Sequence, residues 1–101
     1  MKTNVCYRTG SELKAMVSEQ ELNKPALIKF GIDILAKVEN NEILGMLTRR
    51  LNAGLKKDLN DNLILEQELI DKIDKIATNT ACSRSDVDRH LLCSACLKLK
   101  K

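Results

Sequence analysis

The sequence predicts a small, mostly helical fold with two short strands. The stretch from Asn60 to Lys98 reads in order as a short strand, a helix, a Ser-Arg-Ser turn and a second helix. A shift of about sixty residues lays the N-terminal part of the chain on the same order. The chain of 101 residues is 44% hydrophobic but only 2% aromatic, so its core is aliphatic: Leu, Ile, Val, Met and Ala. A length of this kind predicts one domain, 1–101, divided into a first repeat (1–38), a helical connector (39–59) and a second repeat (60–101).

Charge and composition narrow the function classes. A net charge of +3 and a pI near 8.7 permit nucleic acid as a partner. With one Tyr, one Phe and no Trp, a platform that stacks single-stranded bases is disfavoured. No apolar run approaches the ~20 residues of a membrane span, so no membrane association is expected. The first residues, MKTNVCYRTG, contain no apolar signal region. A cytoplasmic location is therefore expected, with the four Cys as thiols rather than disulfides.

The first repeat opens on a strand from Met1 to Tyr7. Met1, Thr3, Val5 and Tyr7 alternate with Lys2, Asn4, Cys6 and Arg8. Thr9 precedes Glu12 by three residues, a capping-box spacing. A helix from about Gly10 to Glu21 is expected there, with Leu13, Met16, Val17 and Gln20 on one face. Asn23 can cap the next helix, with Pro25 in its first turn, where a missing N–H is harmless. Leu27, Ile28, Gly31, Ile32, Ile34 and Leu35 give that helix a broad apolar surface as far as Val38, expected to pack on more than one side.

The connector carries Ile43, Leu44, Met46, Leu47, Leu51 and Leu55 at helical spacing, ending near Lys57. Its Leu face is expected to pack on the domain. Its cations Arg49, Arg50, Lys56 and Lys57 suit a solvated helix face, with phosphate contact as the rival reading.

The second repeat starts with Leu63 and Leu65 alternating with Asn60, Asn62 and Ile64. A helix from Gln67 follows, with Leu69, Ile70, Ile73, Ile76, Ala77 and Thr80 on one face and Glu68–Lys72 and Asp71–Lys75 pairs on the other. Ser83 can cap the last helix, and Asp86 falls at N3, where a negative charge suits the helix dipole. Val87, Leu91, Leu92, Ala95 and Cys96 mark its buried side, and Lys98, Lys100 and Lys101 its C-terminal end. In the sixty-residue shift Leu13 meets Ile73, Asn23 meets Ser83, Leu27 meets Val87 and Gly31 meets Leu91. The repeat is one of periodicity rather than of side-chain identity.

The run LIDKIDKIATNTACSRSDVDRHLL, with Ser-Arg-Ser, Val87 and Arg89, resembles the helix–turn–helix core of the ribbon-helix-helix DNA-binding family. ELKAMVSEQELNKPALIKFGIDIL is a looser version of the same pattern, and the connector lies outside it. Family members are normally dimers in which each subunit gives one strand to a two-stranded antiparallel ribbon. Two copies in one chain imply a tandem fold that forms this dimer internally: a monomer acting as a pseudo-dimer, with cooperativity on DNA left open. The tandem form is similar to TraY-type accessory proteins of conjugative plasmids.

The resemblance implies sequence-specific binding of double-stranded DNA, with the ribbon in the major groove. By strand parity the base-reading residues would be Lys2, Asn4 and Arg8, with Cys6 beside them, and Asn60, Asn62 and Ile64. Asn suits adenine, and Lys and Arg suit guanine. Ile64 departs from the family, which usually has a polar or basic residue there. The structural alternative for this set is an exposed edge with polar gatekeepers. Phosphates would sit at the N-termini of the second helices, on Asn23 and Lys24 and on Ser83, Arg84 and Ser85, where simple capping is the alternative and is compatible with it.

Other chemistry is disfavoured. Cys93 and Cys96, with His90 and Cys82 nearby, do not form the two separate ligand pairs of a structural zinc site, so no metal or cofactor is expected. His90 is read as a surface partner of Asp86. There is no Gly-rich phosphate loop or carboxylate pocket, so the chain is not expected to be an enzyme. The leading expectation is a plasmid-conjugation (relaxosome) accessory protein at the transfer origin, with a relaxase or other transfer protein as partner. A transcriptional repressor or autoregulator of the same fold and, in another class, a helical protein-interaction module are the alternatives.

Overall fold

The computed structural model describes residues 2–99. The chain runs β1 (Lys2–Thr9), α1 (Ser11–Ser18), α2 (Lys24–Leu35), α3 (Asn41–Ala53), β2 (Leu59–Glu66), α4 (Gln67–Thr80) and α5 (Arg84–Leu99). It is mostly helical, and the one sheet among the described residues is the antiparallel pair β1–β2. The order strand, helix, helix occurs on either side of α3. The expected inward Met1 and the C-terminal Lys100 and Lys101 lie outside the described residues. Among those residues, no helix is long and apolar enough to cross a membrane.

The two strands pair with Val5 opposite Leu63, Asn4 opposite Ile64, Cys6 opposite Asn62 and Arg8 opposite Asn60. Tyr7, Thr9, Leu63 and Leu65 point into the core and are buried. A period-two element with large apolar groups on one parity has one low-energy register, because a one-residue slip would expose Leu63 and Leu65. The strand parity therefore follows the sequence expectation at Val5, Tyr7, Leu63 and Leu65, whereas Thr3, expected inward, is exposed near the start of β1. β1 is longer than expected, however, and takes up Thr9. Gly10 is then the N-cap of α1, without a side-chain cap, so the Thr9–Glu12 capping box does not form. α1 also stops at Ser18 rather than near Glu21.

Both second helices are capped as expected. The Asn23 side chain accepts from the Ala26 N–H at 2.9 Å, with Pro25 in the first turn. Ser83 Oγ accepts from the Asp86 N–H at 3.1 Å. On α4, Leu69, Ile70, Ile73 and Thr80 are buried, Lys72 pairs with Glu68 at 3.6 Å, and Asp71 accepts from Gln67. α5 is enclosed by α1, α2, α3, α4 and β1. Its residues Val87 to Cys93, together with Ala95 and Cys96, are all buried. Along 87–93 a helix surrounded in this way has no solvent face, so three polar side chains, Asp88, Arg89 and His90, lie inside.

That enclosure corrects two expectations. His90 is not a surface partner of Asp86. It is buried, with Nδ1 2.7 Å from the Thr48 hydroxyl. The Thr48 hydroxyl in turn donates to the Leu44 carbonyl at 2.9 Å, so His90 serves as the donor from Nδ1. The packed face of α3 is also different. Leu44 is buried together with Gly45, Thr48 and Asn52, and Leu51 and Leu55 pack half-buried against the core as expected. α3 covers the polar side of α5, where hydrogen-bonding side chains are needed. Ile43, Met46 and Leu47 are turned outward as a result. α3 ends at Ala53, short of Lys57.

Candidate nucleic-acid interface

The outer face of the ribbon is a polar strip. Lys2, Asn4, Cys6 and Arg8 on β1 and Asn60, Asn62 and Ile64 on β2 are all exposed, as strand parity requires. Within the strip, Cys6 Sγ donates to Asn62 Oδ1 at 3.0 Å. Ile64 is the apolar member, opposite Asn4 near the middle of the ribbon.

The N-terminus of α2 closes against one end of this strip. Lys2, Asn23, Lys24, Pro25, Asn62 and Ile64 line one concavity, which brings two of the proposed phosphate residues beside three of the base-reading candidates. Lys24 is drawn onto β2: its Nζ lies 2.7 Å from Asp61 Oδ2 and 3.3 Å from the Asn62 carbonyl. Burial alone would raise the Asp61 pKa, but the Lys24 bond and the Asn62 backbone N–H outweigh it and hold the carboxyl below its usual value. Asp61 therefore stays ionised and neutralises much of the Lys24 charge.

The N-terminus of α5 is tied differently. Arg84 makes a bidentate pair with Asp74 of α4, from Nε at 2.6 Å and Nη2 at 2.8 Å. Ser83 uses its hydroxyl as a cap, and Ser85 is half-buried. Ser83, Arg84 and Ser85 are thus joined to the ribbon only through the helix that carries them. Sequence reasoning missed the residue that makes the join. Arg89 is buried and donates from Nη1 to the Arg8 carbonyl at 2.7 Å and from Nε to Asn52 Oδ1 at 2.6 Å, and it pairs with Asp86. Asn52 also donates to the Asp86 carbonyl at 3.1 Å. One guanidinium thus fixes the Arg8 end of β1, the start of α5 and the C-terminal end of α3. The Asp86–Arg89 spacing of three residues was the signal available for it.

Beneath Arg84 lies Asp88, 1% exposed and with neither carboxylate oxygen hydrogen-bonded among the described residues. Burial raises its pKa to about 7, against the pull of Arg84 and Arg89 and with a push from Asp74. Tyr7 is raised above its usual range, first by its own burial and then by Asp61 and Asp88. Burial lowers the pKa of His90 and keeps it neutral. Cys93 and Cys96 are buried free thiols, both raised chiefly by burial. The chain matches no family model, no curated protein and no solved structure in comparisons with known proteins.

Proposed function

We propose that this chain binds double-stranded DNA sequence-specifically, as a tandem, single-chain pseudo-dimeric ribbon-helix-helix protein. The observation that carries the reading is the exposed outer face of the β1–β2 ribbon. Six polar side chains and Ile64 are presented on a two-stranded antiparallel element, a shape that fits the major groove. The Asn23–Lys24 helix end beside Asn62 supports it, since helix N-termini position phosphates without reading sequence. Ile64 fits as an apolar contact for a thymine methyl group.

The pseudo-dimer draws support from the crossing of α2 and α5. Gly31 and Leu91, equivalent in the sixty-residue shift, touch there. In such a molecule the strands are unequal, so the target is non-palindromic. The role at a plasmid transfer origin rests on the resemblance of the tandem form alone. Selection of bound duplexes from a random pool tests the reading. It is expected to return one asymmetric motif whose binding weakens steeply with salt. Absence of salt-dependent duplex binding overturns it.

A further inference from the structure

The outer face of α3 has no partner among the described residues. Ile43 is 47% exposed, Met46 48% and Leu47 38%. With Arg50 they follow the i, i+3, i+4, i+7 spacing of one helix face. Leu97 of α5 stands across a shallow groove from Leu47 and Leu51, with Cys93 also lining it, and extends the apolar surface. The opposite side of α3 is already committed to α5 through Thr48 and Asn52.

Charge along α3 is polarised. Glu42 is its only acid and lies in the first turn; Arg49 and Arg50 are its only bases and lie toward the end. The Arg49 guanidinium is held by the Thr80 carbonyl at 3.2 Å. Neither the Glu42 carboxylate nor the Arg50 guanidinium has a hydrogen-bond or ion-pair partner among the described residues.

We propose that this face docks on the same face of a second copy of the chain, α3 against α3, antiparallel about a two-fold axis. Met46 and Leu47 then meet their counterparts near the axis, and Glu42 of each copy faces Arg50 of the other. A parallel pairing would set like charges side by side. A foreign partner would have to supply the complementary pattern that α3 already carries. The contact is isologous, so it closes at a dimer and leaves no free copy of the face. It is independent of the ribbon and of what the ribbon binds.

Sedimentation of the full chain without DNA tests this, with loading concentrations up to ~1 mM, where even weak specific association is populated. Wild type is expected to form a reversible dimer, and Met46→Asp to remain monomeric. Glu42→Arg and Arg50→Glu should each weaken association about tenfold, because two attractive pairs become repulsive in each symmetric dimer. A one-to-one mixture of those two variants should regain the wild-type affinity, since each supplies the charge that the other has lost. Both substitutions are on exposed positions, so the mixture reports on docking and not on folding. A wild type that stays monomeric, a dimer indifferent to Met46→Asp, or a mixture no tighter than either variant alone overturns the proposal.

Discussion

A Cβ placed on Gly31 would lie 2.5 Å from the carbonyl oxygen of Leu91. α2 and α5 therefore cross with backbone against backbone, and Leu27, Ile28, Leu91 and Leu92 fill the space beside the crossing without exposure. Gly31→Ala should gain up to about 1 kcal/mol of helix propensity but force two buried helices apart, at a cost of roughly 1–3 kcal/mol. A net loss of stability is expected, read as a lower urea midpoint. Unchanged or raised stability would mean that the helices can separate freely.

Arg89→Ala should destabilise by about 3 kcal/mol, because it leaves Asn52 and the Arg8 carbonyl buried without their donor. Arg89→Lys should recover only part of this, since an ammonium cannot reach three acceptors in one plane. The same variant should also loosen the Arg8 end of β1. Hydrogen exchange at the β1 amides reads that effect directly: protection should fall at Arg8 and Thr9 more than at Asn4.

The network around Arg89 shows where sequence reading stopped. The ribbon faces were legible because Leu63 and Leu65 alternate with polar residues, and large apolar groups on one parity admit one register. The caps at Asn23 and Ser83 were legible from residue type and spacing. The polar interior was not. Apolar periodicity marks only the side of α5 that meets α2, and says nothing of Arg89 and His90, which α3 covers, or of Asp88, which lies near Asp74 and Tyr7. The packing face of α3 was misjudged in part for the same reason: its inward residues Thr48 and Asn52 are chosen for hydrogen bonds beside Leu44 and Leu51, while Ile43, Met46 and Leu47 face out. Lys24 and Arg84 were correctly placed at helix N-termini, but their carboxylate partners Asp61 and Asp74 are far enough away in sequence that no local spacing reveals them.

Asp88 makes stability depend on pH. Its carboxyl is raised to about 7 in the fold, mainly by burial, with Arg84, Arg89, Asp74 and Tyr7 as its charged or titratable neighbours. The folded state therefore holds its proton more tightly than the unfolded chain, whose Asp titrates near ~3.9. The stabilising contribution is full below that value and is lost as pH rises through about 7. His90, lowered by burial, acts in the opposite sense at its own titration, so the clean comparison is with Asp88→Asn. That variant should be more stable than wild type by up to about 4 kcal/mol at pH 8 and close to it at pH 4. Urea unfolding at the two pH values checks this. An equal effect at both would remove ionisation as the cause.

The two kinds of contact proposed for DNA separate in a four-variant series. Asn62 sits exposed on the outer face, so on the proposed reading Asn62→Ala should relax preference at one position of the selected motif by ~1–3 kcal/mol. Arg84 is instead proposed to contact the backbone, so Arg84→Ala should weaken every duplex alike and reduce the salt slope by about one. Asp74 holds Arg84 in a bidentate pair, which a phosphate must compete with. Asp74→Asn releases the guanidinium and removes a negative charge beside the helix end, so binding should tighten across all sequences and the salt slope should steepen. Asp61→Asn should do the same through Lys24 at the α2 end, where the ion pair is half-buried. Titration of the selected duplex and of a scrambled one at several salt concentrations checks all four. If Asp74→Asn and Asp61→Asn leave both duplexes unchanged, the helix N-termini do not touch phosphate, and the ribbon would have to bind without them.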